Sequence, residues 1–117
     1  MDGQQKFFAD CQARVAADLI SGTWSAVVLY ALADGPVRPG VLQTQIGGIS
    51  QKVLTATLRR LEEHGLVERQ RYAEAPPRVE YSLTEPGQDL LIPIRALGDW
   101  ADKHAETLTA EADRDTA

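Results

Sequence analysis

The apolar positions of this chain recur at helical spacing up to Gly65, alternate for a short stretch, and then return to helical spacing. Val15, Leu19 and interspersed alanines put an apolar stripe on a first helix from about Phe7 to Ile20, which Gly22 ends. "WSAVVLYALAD" is apolar on nearly every face, so it predicts a buried second helix. Thr23 is its expected N-cap and Gly35-Pro36 its stop. "VRPGVLQTQIGG" predicts a short, poor helix with Val41, Leu42 and Ile46 turned inward and Gly47-Gly48 as the exit turn. Ser50 then caps a helix that runs to about His64 and stops at Gly65. In it Leu54, Leu58 and Leu61 form the core stripe, while Lys52, Thr55, Ala56, Arg59 and Glu63 point the other way.

After Gly65 the pattern is that of strands. "LVERQRY" and "RVEYSL" are short and rich in β-branched and aromatic residues, and the prolines of "AEAPP" between them exclude a helix. This predicts a two-stranded hairpin with a long tip. Thr84 caps a last helix, with Pro86 in its first turn and Leu90, Leu91, Ile94, Leu97 and Trp100 as its apolar stripe. Pro93 is expected to kink or break that helix. The order predicts a mainly α fold with a small β-hairpin, a winged helix-turn-helix. One domain is expected over residues 1–108, with a frayed acidic tail over 109–117.

Composition narrows the function. A chain of 117 residues suits one core. No apolar run approaches the ~20 residues of a membrane span, and "MDGQQKFFADCQ" lacks the features of a secretory signal, so a cytoplasmic protein without membrane partners is expected. The single cysteine, Cys11, excludes an internal disulfide framework and a cysteine-clustered zinc site. His64 and His104 have no companions at metal-ligand spacing, so no metal site is expected. There is no nucleophile-base pair and no glycine-rich phosphate loop, so neither an enzyme nor a cofactor is expected.

Charge adds the positive clue. The formal net charge is -5, yet residues 36–78 carry +3, against -2 for residues 1–35 and -6 for residues 79–117. A basic middle between acidic ends fits a surface that meets an anion. In a winged helix-turn-helix the second helix of the pair enters the major groove and the wing reaches the adjacent backbone. Ser50, Gln51, Lys52 and Thr55 are therefore placed to meet bases or phosphates of double-stranded DNA. Arg59 is placed for a phosphate, and Arg69, Arg71 and Arg78 for phosphates or the minor groove. The competing interpretation is a solvated helix whose cations pair with Glu62 and Glu63, in a winged helix that binds only protein. The cations on the outer face and the wing favour DNA.

"GPVR", "GISQKVLTATLRRLEEHGLVERQRY", "PPRVEYSLTEPG" and "ALGDW" resemble HxlR-type transcriptional regulators, a branch of the MarR-like winged-helix proteins. The resemblance runs from Cys11 to Trp100, includes the "DLISGTW" of Asp18 to Trp24, and is most specific in "PPRVEYSLTE". It implies a homodimeric regulator, usually a repressor, whose N- and C-terminal helices are dimerisation helices and whose two recognition helices meet a palindromic operator. The chain departs from the family in having Pro39-Gly40 where an aromatic usually begins the short helix, which should make that helix start late or irregularly. Gln43 and Thr44 stand where basic residues are common, and Gln12 where proline follows the cysteine.

Two further features are open at this stage. Some members of the family sense oxidants or electrophiles through the N-terminal cysteine, and a thiolate near a helix start with Lys6 and Arg14 nearby is favoured. Equally, Cys11 reads as a small apolar residue at a dimer contact. Trp24 and Trp100 read either as core or interface side chains, or as the lining of a pocket for a flat aromatic effector.

Overall fold

A computed structural model describes residues 12–108 of the chain. In order it contains α1 (Gln12–Leu19), α2 (Ser25–Ala31), α3 (Pro39–Ile46), α4 (Gln51–Glu63), β1 (Val67–Tyr72), β2 (Arg78–Leu83) and α5 (Glu85–Lys103). This is a mostly helical winged helix-turn-helix, with α3 and α4 as the helix pair and the antiparallel β1–β2 hairpin as the wing. Val37 adds a third edge to the wing, exchanging two 2.9 Å backbone hydrogen bonds with Tyr81. Cys11 and residues 109–117 lie outside the described residues.

One core ties the helices to the base of the wing. Val28, Leu29 and Leu32 meet Leu42 and Ile49 from the helix pair and Leu54, Leu58 and Leu61 from α4. Leu66, Val67, Tyr81 and Leu83 enter from the hairpin, and Leu91 and Ile94 from α5. The i, i+4, i+7 stripe of leucines on α4 is fully inside, so the opposite side of that helix must face outward.

The ends of α4 are fixed by local chemistry. Ser50 Oγ accepts from the Val53 amide at 3.1 Å, which supplies an acceptor for one orphan donor of the first turn. At the other end Gly65 takes φ +76°, Leu66 N–H donates to Leu61 O, and Gly65 N–H donates to Glu62 O, both at 2.9 Å. That is a Schellman close, which needs the left-handed conformation that glycine adopts without a Cβ penalty. The following chain is bound to the same corner. Thr84 Oγ1 donates to Gly65 O at 2.6 Å and accepts from the Gly87 amide at 3.2 Å, joining the exit of α4 to the start of α5. Gly87 is buried there, and a β-carbon on it would collide with the Leu66 carbonyl oxygen.

Several expectations are corrected. The second helix begins at Ser25 with Trp24, not Thr23, in the cap position, and no side chain caps it. It is not buried all round, because Val27 and Tyr30 are exposed. The short helix starts at Pro39 rather than late: proline at the first helical position gives up only an amide that has no intrahelical partner there. Of its three expected inward residues Leu42 is fully buried and Ile46 half-buried, but Val41 is exposed. The last helix runs unbroken through Pro93, which stands on the exposed side, so the carbonyl it leaves free can meet water. The stripe of that helix divides: Leu91 and Ile94 are buried, while Leu97 and Trp100 are 54% and 55% exposed.

Candidate nucleic-acid interface

The outer side of α4 is a consequence of its inner side. With Leu54, Leu58 and Leu61 held in the core, Gln51, Lys52, Thr55, Ala56 and Arg59 line one shallow concave strip along the helix. Gln51, Lys52 and Arg59 are exposed and Thr55 is half-buried. Ser50, also exposed, sits at the N-terminal end of the strip. Its oxygen is used as the cap acceptor while its hydroxyl proton stays available to an anion. Among the described residues neither Lys52 nor Arg59 has an ion pair, although Glu62 and Glu63 follow on the same helix. The strip combines amide and ammonium donors near the helix start, where the positive end of the macrodipole also lies.

The turn that presents α4 is braced from within. Gln43 Nε2 donates to the Ile49 carbonyl oxygen at 3.2 Å across the Gly47-Gly48 turn. Thr44 Oγ1 donates to Gly40 O at 3.1 Å on its own helix. These two residues, which replace expected cations, therefore serve the backbone of the helix pair. Trp24 is half-buried against the core beside the same turn, its Cη2 3.9 Å from where a Gly48 β-carbon would stand.

The wing holds its three arginines in two ways. Pairing runs from Val67 opposite Leu83 to Tyr72 opposite Arg78, so Arg69 and Arg71 share a face with Tyr81 and Val79. Both are exposed. Arg78 is on the other face with Tyr72 and Glu80, and its guanidinium carbon lies 4.1 Å from the Tyr72 ring centroid. Its Nη2 is 3.6 Å from Glu74 Oε1 and its Nε 3.7 Å from Glu80 Oε2, so the charge is offset within the hairpin. Arg38, at the cap position of α3, is a fourth cation of this region: it lines a groove against the wing tip with Pro76, Pro77 and Arg78. Sequence reasoning counted Arg38 in the basic middle but gave it no role, since only the fold brings it beside the tip.

The two tryptophans stand in different surroundings. A groove of about 600 Å³ lies between α2 and α5 and is lined by Ala26, Val27, Tyr30, Ile94 and Leu97 among others, without either tryptophan. Trp100 stands exposed on α5, its ring 5.1 Å from that of His104. Trp24 packs at the helix-pair turn, while Trp100 faces outward near the end of the last helix. Among the described residues no three potential metal ligands cluster, and no helix is long and apolar enough to cross a membrane.

Comparison with known proteins bears on what this surface is for. The family profile described as HxlR-like helix-turn-helix matches residues 19–109. YkvN of Bacillus subtilis, described as an uncharacterised HTH-type transcriptional regulator, is 43% identical over 103 residues, which cover 88% of this chain and 87% of that protein. Among solved structures, the redox regulator HypR in its reduced form superposes with a TM-score of 0.78 at 34% identity, covering 84% of this chain and 97% of that one. The reduced form of the regulator YodB from B. subtilis gives a TM-score of 0.73 at 35% identity, covering 85% and 98%.

Proposed function

Because the chain belongs to the HxlR-like helix-turn-helix family and is a transcriptional regulator rather than an enzyme, we propose that it binds a palindromic DNA operator in the cytoplasm as a homodimer and represses transcription from it. The observation that carries this reading is the outer strip of α4, where Gln51, Lys52, Thr55 and Arg59 stand together and the two cations have no acidic partner among the described residues. In the proposed complex the strip enters the major groove. Gln51 and Lys52 read base edges, with glutamine suited to adenine and lysine to guanine. Ser50, Thr55 and Arg59 hold sugar and phosphate oxygens, and Arg69 and Arg71 hold the backbone beside the wing. Arg38 offers a further phosphate contact at the start of α3. Arg78 supports the hairpin that carries them.

The exposed half of α5 supports the dimer. Ile92, Leu97 and Trp100 are 70%, 54% and 55% exposed, and Val15 on α1 is 55% exposed. Apolar surface left bare on the first and last helices is what a second copy would cover. Two such chains related by a two-fold axis would carry two recognition helices, matching a palindromic site. Sedimentation tests this part: a monomer that persists at all concentrations contradicts it, and Leu97→Glu with Trp100→Glu is expected to give one.

A second strand of the proposal concerns control. The likeness to HypR and YodB, solved in forms named for their redox state, supports a sensing role for Cys11. Modification of its thiol would then change operator binding. A small effector seated between α2 and α5 is the other route to control, and it would act only through different affinities for the two DNA-binding states.

The decisive experiment is a gel-shift titration on the promoter region beside the protein's own gene, repeated at several salt concentrations. A retarded complex that weakens steeply with salt is expected, because each phosphate contact releases a counterion. No complex at low ionic strength would leave a winged helix that serves only protein contacts. Repeating the titration with oxidant on the Cys11→Ser variant tests sensing: an unchanged oxidant response removes it.

A further inference from the structure

Arg60 differs from every other cation of α4 in where its guanidinium goes. Nη2 donates to the Asp18 carbonyl oxygen at 3.0 Å, to the Ser21 carbonyl oxygen at 3.1 Å and toward Ser21 Oγ at 3.2 Å. Asp18 belongs to the last turn of α1, where carbonyls lack intrahelical donors and the helix dipole favours a cation. The Ser21 hydroxyl itself donates to Asp18 O at 2.8 Å, so the acceptors are ordered by one another as well as by the arginine. Gly22 follows directly, and a β-carbon there would lie 3.3 Å from Arg60 Nη1, closer than an unmoved guanidinium comfortably allows.

This clasp matters because, among the described residues, α1 has little burial to hold it against the core. None of its residues is buried, and only Leu19 and the adjoining Ile20 rest partly on the core. A neighbouring side of the same α4, about a quarter-turn away, carries Lys52 and Arg59 together with Gln51. One helix thus grips α1 with Arg60 and presents the strip on a neighbouring side, so the two are linked through α4.

We propose that Arg60 is a positioning residue that couples α1 to the recognition helix, so that the seating of α1 in the dimer sets the spacing of the two DNA-reading strips. The inference rests on the operator-binding reading above. It assigns no DNA contact to Arg60, whose Nη2 is directed to protein oxygens, yet it makes binding to paired half-sites depend on that side chain.

Two measurements on the full chain test it. Spin labels at Ala13→Cys and Glu63→Cys, in a Cys11→Ser background diluted with unlabelled chain, report the distance between α1 and α4 within one protomer. Arg60→Met is expected to broaden that distribution, and Arg60→Lys to restore most of its sharpness. A distribution that Arg60→Met leaves unchanged overturns the proposal. In parallel, binding is measured on the full palindrome and on a single half-site. Arg60→Met is expected to lose about tenfold on the palindrome, within the usual range of coupling between sites, with half-site affinity and salt slope unchanged. Equal losses on both DNAs overturn the coupling, and a salt slope shallower by about 1 would identify a phosphate contact instead. If Arg60→Met fails to fold, Ser21→Ala removes one acceptor and carries the same tests at smaller amplitude. If the unaltered protein binds no DNA, the operator-binding reading fails, while the distance distribution still decides whether Arg60 holds α1.

Discussion

Helix α4 and the wing both carry cations, and Lys52 and Arg59 on the one are kept in the opposite state to Arg78 on the other. On α4, Lys52 and Arg59 stand exposed with no ion pair among the described residues. On the wing, Arg78 lies over the Tyr72 ring between Glu74 and Glu80, its side chain only 28% exposed. Arg69 and Arg71, on the other face of the same hairpin, resemble the helix rather than their neighbour. The difference shows why counting basic residues overstates a nucleic-acid surface. Affinity from counterion release follows the charges a phosphate can reach, and a guanidinium already flanked by two carboxylates adds shape more than charge.

The comparison is most exposed to failure on α4. Replacing Lys52 and Arg59 together with alanine is expected to weaken operator binding by about a hundredfold and make the salt slope shallower by about 1, from the lost Arg59 phosphate contact, read by titration at several salt concentrations. Both side chains are exposed, so thermal unfolding should barely change. A slope equal to that of the unaltered protein would mean that Arg59 does not meet a phosphate. Gln51→Ala comes next. It should cost about tenfold on the operator and almost nothing on random DNA, since a base contact discriminates between sequences while a phosphate contact does not.

How much of this could be read from the sequence depends on how far apart the interacting groups are in the chain. Ser50 and Thr84 were legible as caps because each satisfies an amide three residues away. Leu54, Leu58 and Leu61 were legible because one helix period places them together. The wing was legible from alternation and its prolines. The stripe on α5 was also visible, but an apolar stripe says only that a face wants cover, and it cannot say whether this chain or a second one supplies it. Only the fold shows that Leu91 and Ile94 are buried while Leu97 and Trp100 are not. Arg59 and Arg60 look alike in sequence, and one step of about 100° around the helix gives them different surroundings. Arg60 finds its acceptors at Asp18 and Ser21, about forty residues upstream, where no local pattern could reveal them. Trp24 and Trp100 were grouped by residue type alone, and the fold separates them.

On the wing the expected effects are smaller and differ in sign. Arg69→Ala or Arg71→Ala should each weaken binding several-fold and take about 1 from the salt slope, by the same counterion argument. Arg78→Met should leave the slope nearly unchanged. It gives up a cation–π contact of roughly 0.5–1 kcal/mol, so its signature is faster amide hydrogen exchange across β1 and β2. If Arg78→Met instead flattened the slope as much as Arg69→Ala, the carboxylates would not be holding that charge and the contrast within the hairpin would collapse.

The smallest predicted effect is the most specific, because it requires a gain. Glu74→Gln keeps the size and polarity of the wing-tip side chain but removes one of the two charges facing Arg78. Glu80 remains at 3.7 Å from Nε, so the guanidinium should keep its place over Tyr72 while its Nη2 edge becomes free for a phosphate. Exposed ion pairs contribute little to stability, so unfolding should shift by less than about 1 kcal/mol. Operator affinity at low salt should rise about two- to threefold, with a slightly steeper salt slope, and the gain should fade as salt screens the site. The double variant Glu74→Gln with Arg78→Met should lose the gain completely. A gain that survives without Arg78 would mean that Glu74 simply repels DNA from the tip, and the pairing would then have no part in setting how strongly the wing binds.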